Sequence, residues 1–339
     1  MSPSVSAILL TYNSDAFVED AIRGLFGQDY PAEIEILISD DASTDRTWEI
    51  LQREAGRYTG PHRLVLNRGT TNSGSKSAHL NRVFPIASGD VFISFDADDV
   101  SEPTRVSDIV AVFRSAPSTQ AVYSSYCLVD IHGRPRGRAR VSHPPPGANA
   151  RRWFARVDAN AAGGTLAIRR EVVERFGPLD ADIAEDILLP FRASLLGGVT
   201  FIPRPLVRVR RHAGSLTADA EQFRSIEAYR TRMMVGIQRA RRNVRSRLAD
   251  IRHAAALMPH ELRELEAIEA VVHDSAARAE MTALLTSKSL RTRLAGLLRL
   301  LRAGAYRDEL ALHACLAMAP GLYLRYKRRK LGFYNDTGG

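Results

Sequence analysis

Apolar and polar positions along the first 130 residues fall in blocks rather than singly. Val5 to Leu10 is a short apolar run, the mark of a strand buried on both faces, and the polar stretch Thr11-Tyr12-Asn13-Ser14 breaks it. Phe17, Ala21, Ile22 and Leu25 then recur at helical spacing, with Ser14 or Asp15 placed to cap that helix and Pro31 ending the unit. Glu33 to Ser39 predicts a second strand. The polar turn Asp40-Asp41-Ala42-Ser43-Thr44-Asp45 closes it, and a helix runs on through Trp48 and Leu51. Arg63 to Leu66 reads as a third strand, Ser75 to Ala87 as a third helix, and Asp90 to Phe95 as a fourth strand ending in Asp96-Ala97-Asp98-Asp99. Pro103 stands at a helix start, where a missing N–H costs nothing, and Gln120 to Cys127 is a fifth strand.

This alternation predicts an α/β fold, a mostly parallel Rossmann-like sheet with helices on both faces. Ligands of such sheets bind at the carboxyl ends of the strands. Three polar tips fall there: Thr11 to Asn13, Asp40-Asp41 and Asp96 to Asp99. Neither a GxGxxG after the first strand nor a GxxxxGK[ST] is present, so the nucleotide motifs of dehydrogenases and P-loop enzymes are excluded.

After Tyr126 the alternation weakens. His143-Pro144-Pro145-Pro146-Gly147 is a loop signal, and Gly163-Gly164 is a glycine turn entering a strand. Glu185-Asp186 opens an apolar helix, a place that favours carboxylates on dipole grounds alone. From about Thr217 the chain turns to helices rich in Ala, Leu, Glu and Arg, with Leu262, Leu265, Ile268 and Val272 at helical spacing and an amphipathic, basic run from Leu290 to Leu301. The domain reading is 1–217 catalytic, divided into 1–127 and 128–217, and 218–339 helical.

Composition narrows the class. Of 339 residues 45% are hydrophobic and 25% charged, enough to bury a sizeable core. Two cysteines far apart, Cys127 and Cys315, make neither a disulfide framework nor a CxxC zinc site. With no signal peptide and no membrane-length apolar run, a cytoplasmic location is expected, extending to the inner face of the cell membrane. The net charge of +9 is concentrated after about residue 204, without the interleaved aromatics of a nucleic-acid binder. Anionic membrane or a lipid diphosphate is the better match, with residues 288–331 as the contact. Packing on the catalytic domain and pairing with a second subunit are the other uses of these helices.

Asp96, Asp98 and Asp99 repel one another, and a hard divalent cation, Mg²⁺ or Mn²⁺, would relieve the repulsion. An Asp-rich turn capping the next helix explains the same residues, but the neighbouring polar tips favour a site. The ordered set of TYN, ISDDASTD, NSG and SFDADDVSEPTR resembles the family 2 glycosyltransferases of GT-A fold over roughly the first 215 residues.

That resemblance implies an inverting transfer of a sugar from a nucleotide diphosphate, a UDP-sugar above all, to a hydroxyl acceptor. It implies that Thr11, Tyr12, Asn13, Asp40 and Asp41 hold the nucleoside, that Asp96 lies by the ribose, and that Asp98 holds the metal with Asp99 in support. Asn72, Gly74 and Lys76 would run close to the nucleotide, Gly74 by close backbone approach and Lys76 by neutralising phosphate. Gly163 and Gly164 would lie beside the donor sugar, an ordinary tight turn being the equal alternative. Asp186 resembles the general base, with Glu185 shaping the acceptor pocket or sharing that role. His212 of the Arg-x-His-x-x-Ser stretch resembles a metal or diphosphate contact. The implied acceptor is a saccharide or lipid-linked saccharide of surface polysaccharide or glycolipid synthesis. Two other readings compete: a sugar nucleotidyltransferase, whose glycine- and Arg/Lys-rich first loop is missing here, and a catalytically silent binding or scaffold protein.

Overall fold

The computed structural model describes residues 2–138, 141, 143–145, 147–212, 226–285, 287, 289–302, 316–318 and 323. The chain divides into two compact units. The first comprises Met1–Ala155, Ala159–Arg211 and Asp250–His260, and the second Arg156–Asp158, His212–Ala249 and Glu261–Gly339.

The first unit is built on one sheet. Strands β1 (Val5–Thr11), β2 (Glu35–Asp40), β3 (Arg63–Arg68) and β4 (Val91–Asp96) run parallel in the order β3-β2-β1-β4. Every residue of β1 and β2 is buried, which is why their sequences are continuous runs rather than alternations. Helices α1 (Val18–Phe26), α2 (Thr47–Arg57) and α3 (Lys76–Val83) connect them. Ala7, Leu9, Ile36, Ile38 and Ile93 form one core with Val18, Ala21, Ile22 and Leu25 of α1 and with Val106, Ile109 and Phe113 of α4 (Arg105–Ser115). Full burial of Val18, Ile22 and Leu25 contributes roughly 6 kcal/mol to docking α1. On the opposite face Ile8 and Phe92 meet Leu80 and Phe84 of the α3 segment.

α1 is not capped as its sequence suggests. It begins at Val18, with Phe17 at the cap position and no side-chain bond there. The Ser14 hydroxyl turns back to the Tyr12 carbonyl, and the Asp15 side chain faces Arg46, so neither reaches the helix. The predicted third helix is shorter, with Ser75 accepting from the Ala78 N–H as its cap.

The other half of the sheet is mixed. A two-residue strand β5 (Val100–Ser101), β6 (Thr119–Val129), β7 (Pro135–Arg138), β8 (Ala167–Arg169) and β9 (Gly198–Arg210) extend the order to β3-β2-β1-β4-β8-β6-β9-β5, with β7 on β6. β6 and β9 are parallel to each other, whereas β8 is antiparallel to both β4 and β6. That reversal brings the start of β8 to the carboxyl end of β4: the Ser94 N–H reaches the Leu166 carbonyl at 3.0 Å. Around β8 lie α5 (Ala150–Phe154), α6 (Arg170–Phe176) and α7 (Glu185–Leu196), the last running on through Pro190.

Helices α8 (Ile226–Leu257), α9 (Leu262–Leu284) and α10 (Leu290–Arg302) make up the described C-terminal region. α9 buries Leu265, Ile268 and Val272, as its spacing predicts. Gly296 allows α10 to approach α9, since a Cβ there would lie 2.9 Å from the Leu284 Cβ. The last two turns of α8 belong to the first unit, where Asp250 accepts from Arg192 Nε at 3.0 Å. Among the described residues no helix is long and apolar enough to cross a membrane. Ser215, Thr217, Cys315, Pro320 and the whole of the basic stretch after Tyr323 lie outside the described residues.

Candidate active site

Register alone brings the three polar tips together. Thr11 pairs with Asp40 across β1 and β2, and Leu10 pairs with Asp96 across β1 and β4. Adjacent strands lie about 4.8 Å apart, so the tips share one edge.

The first two tips bind mainly each other. Asp40 is fully buried, accepting from the Thr11 hydroxyl at 3.1 Å and from the Ser43 hydroxyl and backbone N–H, with Arg68 Nε 3.5 Å away. Asp41 accepts from the Ser73 N–H and hydroxyl and from Asn72 Nδ2. Asn13 occupies the left-handed region (φ 45°), tolerable for asparagine, and its Oδ1 accepts from the Thr44 N–H. Tyr12 is left half exposed at the rim. Gly74 has φ 86°, and no protein atom lies within 4 Å of a Cβ built there. That left-handed φ favours glycine here by conformation alone.

The third tip concentrates charge. Asp99 is buried, and its Oδ1 accepts the Arg210 backbone N–H at 2.9 Å. Burial, Asp98 and Asp96 hold its pKa well above the usual carboxylate range. Two arginines support the turn. Arg210, at the end of β9, donates to the Asp98 carbonyl, the Ile131 carbonyl and Asp20 of α1. Arg105, at the start of α4, is fully buried over the Phe95 ring and donates to the Ser94 carbonyl at 2.6 Å and to Ser101. Burial pulls its pKa down to about 10, against Asp96 and Asp99, which favour the cation.

The glycine turn faces both acidic groups. A Cβ on Gly164 would lie 2.9 Å from Asp96 Oδ2 and 3.0 Å from Asp99 Oδ2. One on Gly163 would lie 2.6 Å from Glu185 Oε1 and 3.3 Å from the Asp186 Cβ. Consecutive residues thus touch the turn after β4 and the first turn of α7. Lys76 bridges the same gap, with Nζ 2.5 Å from Asp96 Oδ1 and 2.9 Å from Glu185 Oε1. Burial opposes its charge, but the two carboxylates prevail and hold the ammonium above its usual range. Asp186 is the next residue of α7. Burial first, then Glu185 and Asp96, push it up to about 7 against the pull of Lys76.

Most residues singled out in the sequence therefore converge: Thr11, Asp40, Asp96, Asp98, Asp99, Lys76, Gly163, Gly164, Glu185 and Asp186. Asn72 and Asp41 brace each other behind the second tip. His212 belongs to the second compact unit. Arg105 closes SFDADDVSEPTR and Arg210 opens Arg-x-His-x-x-Ser, but the sequence gives neither a role. The signal for Arg105 was a cation in the first turn of a helix, where the dipole disfavours it. For Arg210 it was its place as the first residue of Arg-x-His-x-x-Ser at the end of a strand.

The donor chemistry suits a divalent cation. Asp96 Oδ2 and Asp99 Oδ2 meet the same glycine, and their excess negative charge is what a hard ion relieves. Among the described residues no group of three His, Cys, Asp or Glu is arranged to hold a metal, so ligands of the ion would come in part from phosphate.

Residues 6–177, half of the chain, match the profile of glycosyl transferase family 2, and the chain belongs to that family. A Bacillus subtilis protein named as a glycosyltransferase, EpsE, is 32% identical over 149 residues, 44% of this chain and 52% of that one. The beta-monoglucosyldiacylglycerol synthase of Nostoc sp. is 33% identical over 113 residues, 33% of this chain and 24% of its own length. The chain spans about half the length of EpsE. Among solved structures, S. aureus TarS in complex with UDP-GlcNAc aligns with a TM-score of 0.53 at 17% identity, over 98% of this chain and 91% of that one. The mannosyltransferase PcManGT of Pyrobaculum calidifontis, in complex with GDP-Man and Mn²⁺, aligns at 0.50 and 23%, over 97% and 87%. These likenesses establish the GT-A fold.

Proposed function

We propose that the chain transfers a sugar from a nucleotide diphosphate to an acceptor hydroxyl with inversion at the anomeric carbon. The observation that carries this reading is the glycine turn, whose adjacent residues touch Asp96 and Asp99 on one side and Glu185 and Asp186 on the other. A donor at the strand tips and an acceptor at α7 would then meet beside Gly163 and Gly164.

Asp186 is the general base. A carboxyl poised near 7 is ionised enough to accept a proton and basic enough to take it from a hydroxyl. The acceptor oxygen forms its bond to the anomeric carbon as the bond to the diphosphate oxygen breaks, and the acceptor proton passes to Asp186. Glu185, held against Lys76, positions rather than transfers. Asp98 and Asp99, with Asp96 beside them, would hold Mn²⁺ or Mg²⁺, which when bound supplies charge stabilisation to the departing diphosphate. Lys76 adds a fixed positive charge to the same cleft. Thr11, Tyr12 and Asn13 border the nucleoside, with Asp40 and Asp41 holding that rim in shape. A retaining route needs a second carboxylate as nucleophile at the sugar, and none is assigned one here. UDP is the favoured nucleotide, and His212 is assigned to metal or diphosphate.

The test is calorimetric titration of UDP, dTDP and GDP with Mn²⁺ or Mg²⁺, then with EDTA, on wild type and Asp98→Ala. Metal-dependent binding of one nucleotide, lost in Asp98→Ala, supports the site. No binding to any of them in metal overturns it and favours the silent scaffold.

A second reading concerns α10, where Leu290, Leu294 and Leu298 are exposed at four-residue spacing, with exposed Arg291 and Arg299 alongside. This face suits an anionic lipid surface at the inner side of the membrane, near a lipid-linked acceptor. Co-sedimentation with phosphatidylglycerol vesicles but not phosphatidylcholine vesicles, abolished by Leu294→Glu with Leu298→Glu, is the expected result. Equal recovery with both vesicles would overturn it.

A further inference from the structure

Pro190 sits inside α7, four residues after Asp186, and the helix continues past it to Leu196. An α-helix would bond the N–H of residue 190 to the carbonyl of residue 186. Proline has no N–H, and its ring crowds that same carbonyl. The Asp186 carbonyl is thus released from its helical partner, and the Ala161 N–H takes it at 2.9 Å.

Ala161 is fully buried, so its N–H needs a protein acceptor. Two residues on comes the glycine turn. Its other end is fixed by Thr165, whose hydroxyl donates to the Ala162 carbonyl at 2.7 Å and accepts the Ser124 N–H of β6. The turn therefore has two anchors, one on β6 and one on α7. The α7 anchor attaches to the very residue assigned as base.

We propose that Pro190 is a positioning residue: by vacating the Asp186 carbonyl it docks the Ala161–Gly164 segment onto α7 and sets the distance between the glycine turn and the base. The proposal rests on the assignment of Asp186 as base for its catalytic consequence, though the docking itself does not. It makes an unusual demand. A helix-breaking residue stands where alanine would suit the helix better, and the gap it leaves in the helical ladder is used by Ala161.

The experiment is Pro190→Ala in the full chain, with hydrogen–deuterium exchange over residues 159–165, thermal unfolding, and release of nucleotide from UDP-GlcNAc and GDP-Man in water. Restoring an N–H at 190 gives Asp186 a helical partner and makes Ala161 compete for it. Exchange at Ala161 should rise about fivefold, the weight of one neutral hydrogen bond. The unfolding midpoint should rise, while kcat for nucleotide release falls with KM unchanged. A merely structural proline would lower both or leave both. Ala161→Pro, which removes the donor instead, should reproduce the kcat loss with a lower midpoint. Unchanged exchange at Ala161 in Pro190→Ala overturns the proposal, whatever donor the protein uses. Asp186→Asn separates the two claims: full turnover in that variant removes the base assignment while faster exchange in Pro190→Ala keeps the anchor.

Discussion

Lys76 Nζ lies 2.9 Å from Glu185 Oε1, an ion pair that joins the first residue of α3 to the first residue of α7 across the site. Replacing Lys76 by methionine leaves a buried carboxylate with no cation beside it. The expected cost is about 2–3 kcal/mol, less than for a fully enclosed pair because 21% of the Lys76 side chain is exposed. Chemical denaturation reads this directly. Lys76 also holds the Asp186 pKa down, so the rising limb of the rate profile should move to higher pH in this variant.

Asp186 gives a second pH signature. Its folded-state pKa of about 7 lies above the ordinary 3.8, so the folded protein binds this proton more tightly than the unfolded chain. Its contribution to stability is full below about 4 and declines as pH rises to about 7. Activity should run the other way, rising through about 7 as the base ionises. Asp186→Asn should unfold at a higher temperature than wild type at pH 8 while losing roughly 10²–10⁴-fold in turnover. A variant that loses activity and stability together at pH 8 would count against this assignment.

The glycines separate by cause. Gly164→Ala places a Cβ against Asp96 and Asp99, and displacement of reacting groups by an ångström costs on the order of 100-fold in kcat. Gly163→Ala meets Glu185 more closely and should also break the Lys76 pair. Gly74→Ala has open space but a left-handed φ, so it should cost about 1–2 kcal/mol in stability and leave kcat within twofold or so. Steady-state kinetics beside thermal unfolding on the three variants distinguishes them.

Ala42 is a non-glycine residue in the left-handed region, at φ 60° between Asp41 and Ser43. The Asp41 N–H to the Thr11 carbonyl and the Ser43 N–H to Asp40 hold it there. Ala42→Gly should relieve the strain and stabilise by about 1 kcal/mol, with nucleotide binding retained. A fall in the unfolding midpoint would argue that the methyl group packs more than it strains.

The parallel half of the sheet was legible because buried strands betray themselves as apolar runs ending in polar tips. Thr11, Asp40 and Asp96 followed at once, since neighbouring parallel strands share an edge. β5 was not legible, since two residues carry no period, and β8 was legible as the strand after the glycine turn but not in its direction, which tertiary pairing alone fixes. The Glu185-Asp186 pair was readable as a helix opening, but Pro190 reads locally as a break, and only burial of α7 on both sides carries the helix through it. Asp40 and Asp41 were visible as carboxylates. Their attachment to Ser43, Thr11, Ser73 and Asn72 depended on loops that meet only in the folded chain. Arg105 and Arg210 look like surface charges in one dimension and are buried supports in three.

Arg210 has a consequence for biogenesis. The turn it braces ends at Asp99, more than a hundred positions earlier in the chain, and Asp99 takes its backbone N–H. Synthesis is vectorial, at roughly 5–20 residues per second. The acidic turn therefore leaves the ribosome several seconds before its brace does. During that interval the turn has Arg105 but lacks the backbone N–H that Asp99 takes, and a nascent fragment that already carries every strand from β1 to β4 still has the turn unfinished. The order of the residues along the gene is not the order in which this site is completed.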